Sequence, residues 1–482
     1  MFRLAIGVVQ VKFVAIFLGP LGVGLAGTYE SLINLVQQFA GLGIASSGVR
    51  EVAHAVGTQD QAQIGRTVLT LRRICWLTGT AGALFIALLA RPLSRMTFGS
   101  SEHAWALVVL AWIVLLASIR SAQMCYIQGT RRIADLARLK IVGAVGGAAI
   151  GIGFYAWLRL DGIVPALVTL AAFELAASWW YARKVPAPKA SMTWKESIQM
   201  SGGFLRLGLA FMWSGLLAAA VAYVTRLLIT RELDLHSVGI FQSAFRLSAM
   251  FVGFILQAMG ADFYPHLTAV SSDHGRMNRL VNEQTEIALL LAVPGLLATL
   301  VLAPWIVRIF YTVQFAQSAD LLQWFVLGCL GRVISWPMGY ILLAKGASCW
   351  YIFTETLTNC IHIALVWIGL RLVGLEGVAI AFCVLYVLYI ILMSVVTKHL
   401  VGFTWNAEVQ KILFYMVAIV AGVFAATHLL PEVCATVIGA IGTLVVSVYC
   451  LRELITRIGP QHRISRTIQA LPLVGRVLSQ GT

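Results

Sequence analysis

Fourteen apolar runs, each near the roughly 20 residues that a helix needs to cross a bilayer, constrain this chain more than any other feature. They fall at about 2–19, 29–49, 71–92, 104–126, 140–158, 162–182, 205–230, 237–262, 284–311, 320–343, 350–371, 375–397, 409–429 and 433–451. Only 11% of the 482 residues are charged and 60% are hydrophobic, whereas a soluble domain carries about 25% charge. The predicted fold class is therefore an all-α polytopic membrane protein of about 14 transmembrane helices. No small-residue cleavage site follows Phe2-Arg3, so the first run is expected to be its own insertion signal. The run at 29–49 is the most polar, with Asn34, Gln37 and Gln38, and is expected to line a wet cavity.

Lys and Arg set the orientation. With the N-terminus inside, 24 of the 35 basic residues fall on the cytoplasmic side and seven outside. Lys12, Arg120, Arg246 and Arg332 lie within helices. The positive-inside rule then places both termini in the cytoplasm and requires an even helix count. The net charge of +15 reads as cytoplasmic loops rather than a nucleic-acid surface. The longest basic loop, Arg183 to Ser197, holds two prolines. It suggests an N-lobe at 1–183, a linker at 184–204 and a C-lobe at 205–398, with helices 13 and 14 at 399–452. The tail at 453–482 has Arg457, Arg463, Arg466 and Arg476 among Ile464, Ile468, Leu471 and Leu473. It reads either as an amphipathic segment on the anionic inner leaflet or as a disordered basic tail.

The two six-helix lobes repeat at an offset of about 215 residues. Lys12 in the first run matches Arg226 in the seventh, and Val23-Gly24 matches Val238-Gly239. YIQGTRRIADLARLKIVG from Tyr126 resembles YILLAKGASCWYIFTETLTN from Tyr340, and Asp161-Gly162 pairs with Glu376-Gly377. Six helices per repeat put both repeats in the same orientation, which is a transporter architecture.

An intramembrane charge costs a few kcal/mol or more and is rarely kept without a task. Lys12 and Arg226 suit an anionic substrate, with snorkelling to the head groups as the plain alternative. Arg246 lies about 13 Å along its helix from Ser237, at 1.5 Å per residue, where snorkelling is hardest. Arg50 could receive the substrate from the cytoplasm or anchor the interface. Arg120 reads as an anchor near an inner helix end. Glu30, Glu174, Glu355 and Arg332 could serve ion coupling or charge pairing. Pro294 and Pro337 should kink their helices. The eight cysteines read as small buried hydrophobes. Neither a metal site nor a cofactor motif, Walker loop, HExxH or GxSxG is present, so a transporter is expected rather than an enzyme. A membrane-embedded polymerase or ligase would need a large outside loop, and the outside connections are short. A drug/cation antiporter would place acids rather than cations in its cavity.

KFVAIFLGPLGVGL, GLGIASSGVREVA, VGIFQSAFRLS and YILLAKGASCWYIFTE resemble the O-antigen and enterobacterial common antigen flippases over about residues 1–400. These belong to the superfamily of the multidrug and toxin extrusion (MATE) pumps and the lipid II flippase. The resemblance implies an oligosaccharide on undecaprenyl diphosphate, moved from the inner to the outer leaflet of a bacterial inner membrane. It implies membrane lipids, a polysaccharide polymerase and a chain-length regulator as partners, and no nucleic acid. By matched position it puts Lys12, Arg50 and Arg226 in a cationic cavity, and Arg246 joins them on depth alone. Fourteen helices, where many O-antigen flippases have twelve, keep a lipid II-type flippase open.

Overall fold

The computed structural model describes residues 2–185 and 190–458. The expected amphipathic tail at Arg463, Arg466 and Arg476 lies outside them. Every long element among the described residues is a helix. The chain runs through α1 (Phe2–Gly41), α2 (Ile44–Gly57), α3 (Gln61–Leu88), α4 (Ala90–Phe98), α5 (Ala104–Gly129), α6 (Ile133–Leu158), α7 (Ile163–Ala182) and α8 (Trp194–Glu232). It continues through α9 (Leu235–Ala269), α10 (His274–Val301), α11 (Ala303–Phe310), α12 (Ser318–Ala344), α13 (Ser348–Val373), α14 (Glu376–Val401), α15 (Ala407–Leu429) and α16 (Glu432–Ile458).

Among the described residues, eleven stretches are long and apolar enough to cross a membrane, or twelve if the bent pair 235–250 and 255–269 is one span. One of the eleven, residues 133–182, contains both α6 and α7. Another, 9–41, spans a break in α1. Gly19 there takes a left-handed φ of 61°, which glycine tolerates without a Cβ clash. Pro20 follows and cannot donate the next helical bond. The first expected run, 2–19, ends at this break. The second, 29–49, needs correction. Helix resumes at once, ends at Gly41, and a separate α2 begins after Leu42 and Gly43, both with positive φ. Glu30 thus sits within a continuous helix instead of at the start of a separate one, and Tyr29, Leu32 and Ile33 pack that turn into the core.

Several helices also start earlier than their apolar runs. Polar caps extend them: Asp60 accepts from the Ala62 amide at 2.8 Å, Asp273 from the Arg276 amide at 3.0 Å, and Thr193 with Glu196 forms a capping box at α8. Each satisfies amides that the first helical turn leaves unpaired. Pro294 and Pro337 lie within α10 and α12.

Two compact units are present. The first is residues 1–243 with 308–315, and the second is 244–307 with the residues from 316 on. In the first, Tyr29, Leu107, Leu110 and Ile163 pack α1, α5 and α7 together. In the second, Met277, Met338, Ile341 and Met393 join α10, α12 and α14. Large apolar side chains cover the outside of both, with Trp157 81% and Leu429 82% exposed. Water would not tolerate such a surface, and lipid would. The outside also carries Cys349, Cys360 and Cys434, which are exposed rather than buried as expected. Lipid solvates a thiol on that surface as well as a protein core does.

Candidate functional site

In the first unit, Lys12 projects from the N-terminal part of α1 onto the end of α11 and the residue that follows it. Its Nζ donates to the Arg308 carbonyl at 2.9 Å and to the Tyr311 carbonyl. Two carbonyl dipoles solvate the side-chain nitrogen, and among the described residues no carboxylate lies within ion-pair distance.

Arg226 is only 8% exposed. Its Nε donates to Gln242 Oε1 at 3.1 Å, its Nη2 to the same oxygen, and its Nη1 to the Ala222 carbonyl at 2.6 Å. The guanidinium lies over the Phe241 ring, 5.6 Å from its centroid. Gln242 reaches Arg226 because the start of α9 lies directly on α1. Gly24 and Gly239 bear no side chains there, and a Cβ on Gly24 would sit 2.8 Å from the Gly239 amide nitrogen.

Arg50 is exposed on α2, and Glu30 is half-buried on α1; neither makes a hydrogen bond or ion pair among the described residues. Glu174 accepts from Arg120 in an ion pair between α7 and α5. Arg120 is thus a pairing residue, and the expected interfacial anchor is corrected: its guanidinium is turned to a neighbouring helix.

In the second unit, Arg246 is exposed on α9 and also has no hydrogen-bond or ion-pair partner among the described residues. Arg332 and Glu355 line one cavity of about 360 Å³ bounded by α12, α13 and α14. They do not form an ion pair with each other. Both were singled out in the sequence; Asn359 and His362 stand four and seven residues after Glu355, on the same face of α13, and line the same cavity. That spacing was the available signal. Tyr386 and Tyr389 from α14 and Trp336 from α12 complete the wall, and no local pattern marked them.

Of the residues singled out in the sequence, the structure thus gathers Arg332 with Glu355, joins Glu174 to Arg120, and engages Lys12 and Arg226 with neutral acceptors.

Residues 13–320 match the family described as polysaccharide biosynthesis protein. The chain is 22% identical over 401 residues to the lipid III flippase of Escherichia coli (strain K12), covering 80% of this chain and 92% of that protein. Its fold is similar to the lipid II flippase MurJ in an inward closed conformation. The TM-score is 0.70 at 14% identity, covering 94% of this chain and 98% of that one. An inward-facing multidrug resistance MATE family transporter of the MOP superfamily also gives 0.70 at 13% identity, over 85% and 96% of the two chains. The family model spans well over half of the chain, and the chain belongs to the polysaccharide biosynthesis protein family.

Proposed function

We propose that this protein is a flippase that carries an undecaprenyl-diphosphate-linked oligosaccharide, an O-antigen or exopolysaccharide repeat unit, from the inner to the outer leaflet of a bacterial inner membrane. The similarity to the lipid III flippase supports the class of cargo. The observation that carries the reading is Lys12: a basic side chain within an apolar helix, held by carbonyls and, among the described residues, paired with no carboxylate. Such a charge favours an anion entering the membrane. Arg50 and Arg246, both exposed, extend the cationic set, and Arg226 adds a buried one held by Gln242. Both termini face the cytoplasm in this reading, and six-helix lobes at 1–183 and 205–398 alternate access about the cations. A polysaccharide polymerase and a chain-length regulator use the delivered glycan.

Native mass spectrometry of the purified protein with undecaprenyl diphosphate and undecaprenyl monophosphate tests the anion reading. Preferential retention of the diphosphate, weakened by Lys12→Ala, is the expected result. Equal retention of both lipids, indifferent to Lys12→Ala, would remove the cations from the path.

A further inference from the structure

We propose that the cavity between α12, α13 and α14 is a saccharide subsite, taking one sugar ring of the cargo on the inner-leaflet side. The proposal rests on the flippase reading above.

The first argument is charge. The cavity holds one guanidinium, Arg332, and one carboxylate, Glu355, which form no ion pair with each other. A bare cation entering would meet Arg332, and a bare anion would meet Glu355. A neutral guest with many hydroxyls can use both, because each group offers hydrogen bonds in a planar fork.

The second is unmet hydrogen bonding. Thr358 lines this cavity, and its Oγ1 is buried with no hydrogen-bond partner among the described residues. Asn359 donates its Nδ2 to the Glu355 backbone carbonyl at 2.7 Å, which fixes the amide and leaves its side-chain oxygen for a guest. Buried polar groups are normally paired, and each exception calls for a partner.

The third is shape. Sugar rings carry apolar C–H faces that stack on aromatic rings, and the cavity supplies both surfaces. Trp336 and Tyr340 stand edge to face with centroids 4.6 Å apart. Tyr340 continues to Tyr264, at 5.8 Å, on the exposed side of α9. The volume of about 360 Å³ is ample for one sugar ring with water.

The fourth is depth. With Lys345 on the cytoplasmic side, Tyr340 lies one turn inside the membrane. Arg332 lies 13 residues from Lys345, or about 20 Å at 1.5 Å per residue. The cavity therefore runs from the inner head groups to mid-membrane, where a glycan leaving the cytoplasm would first pass.

The test uses the full-length protein in nanodiscs. The probes are the methyl glycosides of glucose, galactose, mannose and N-acetylglucosamine, followed by saturation-transfer NMR. At least one should bind saturably. Glu355→Leu and Asn359→Leu should each weaken it about tenfold, the value of one or two lost hydrogen bonds. Glu355→Gln, which keeps a hydrogen-bonding amide, should weaken it less. Saturable binding by none of the four would overturn the proposal, as would binding that all three variants leave unchanged. Sodium chloride in place of sugar is the control: a Glu355-dependent rise in melting temperature with salt alone, and no sugar binding, would make this a cation site. Sugar binding is read without transport. Loss of binding with flipping intact in the same variants sinks the subsite and spares the flippase. Sugar binding by a wild type that flips no lipid-linked glycan does the reverse.

Discussion

Gly24 and Gly239 meet where α1 and the start of α9 cross, with room for no side chain between them. A Cβ on Gly24 would lie 2.8 Å from the Gly239 amide nitrogen and overlap the Leu235 carbonyl, and one on Gly239 would overlap the Pro20 carbonyl. These are the glycines of the two Val-Gly pairs that the internal repeat aligns. The contact is backbone on backbone, so no flexible side chain can move aside. Gly239→Val should lower stability by about 1–3 kcal/mol through overpacking, seen as a drop in melting temperature in detergent. An unchanged melting temperature would mean that the two helices separate readily.

Lys12 bridges 296 and 299 positions of sequence to reach the carbonyls of Arg308 and Tyr311. Hydrogen bonds from a charged donor are worth about 1.5–3 kcal/mol. Lys12→Met should destabilise by about that amount, and Lys12→Arg should recover part of it. Equal melting temperatures for wild type and Lys12→Met would show that these bonds add nothing.

Arg457 near the end of α16 pairs with Glu286 on α10, whose side chain is only 5% exposed. The pair uses Glu286 Oε2, and Oε1 is buried with no hydrogen-bond partner among the described residues. Removing Arg457 leaves a buried carboxylate uncompensated, a change that costs about 3–5 kcal/mol. Arg457→Leu should therefore be far more damaging than the double variant Arg457→Leu with Glu286→Leu, which removes both charges. A double variant as unstable as Arg457→Leu alone would contradict this.

Asp273 caps α10 outside the membrane. The hydrogen bond from the Arg276 amide holds its carboxyl below the usual carboxylate range, against a small opposing effect of burial, with help from Gly275 and the charges of Arg276 and Arg279. A carboxyl whose folded pKa is depressed stabilises above its unfolded pKa, and the contribution fades as pH falls through the folded value. The melting-temperature gap between wild type and Asp273→Ala should thus be constant at neutral pH and shrink below about pH 4. A gap independent of pH would show that the charge plays no part in the cap.

How much of this was legible in the chain depends on whether the signal is local. The membrane class, the break near Gly19-Pro20 and the paired glycines follow from runs and repeats. Helix ends did not, since caps at Asp60, Thr193 and Asp273 prolong helices past their apolar stretches. Arg120 looked like an anchor because its partner Glu174 is 54 residues away. The cavity was half visible: Glu355, Asn359 and His362 share one face of α13, whereas Trp336, Tyr386 and Tyr389 arrive from other helices.

The most direct measurement of the central claim is flipping itself. Proteoliposomes would carry a fluorescent undecaprenyl-diphosphate oligosaccharide, with wild type, Lys12→Ala and Arg246→Ala compared at equal protein. Transport by the wild type, reduced about tenfold or more in well-folded variants that lose one diphosphate contact of about 1.4 kcal/mol or more, is the predicted result. Wild-type protein that moves no such lipid while exporting a cationic drug would contradict it.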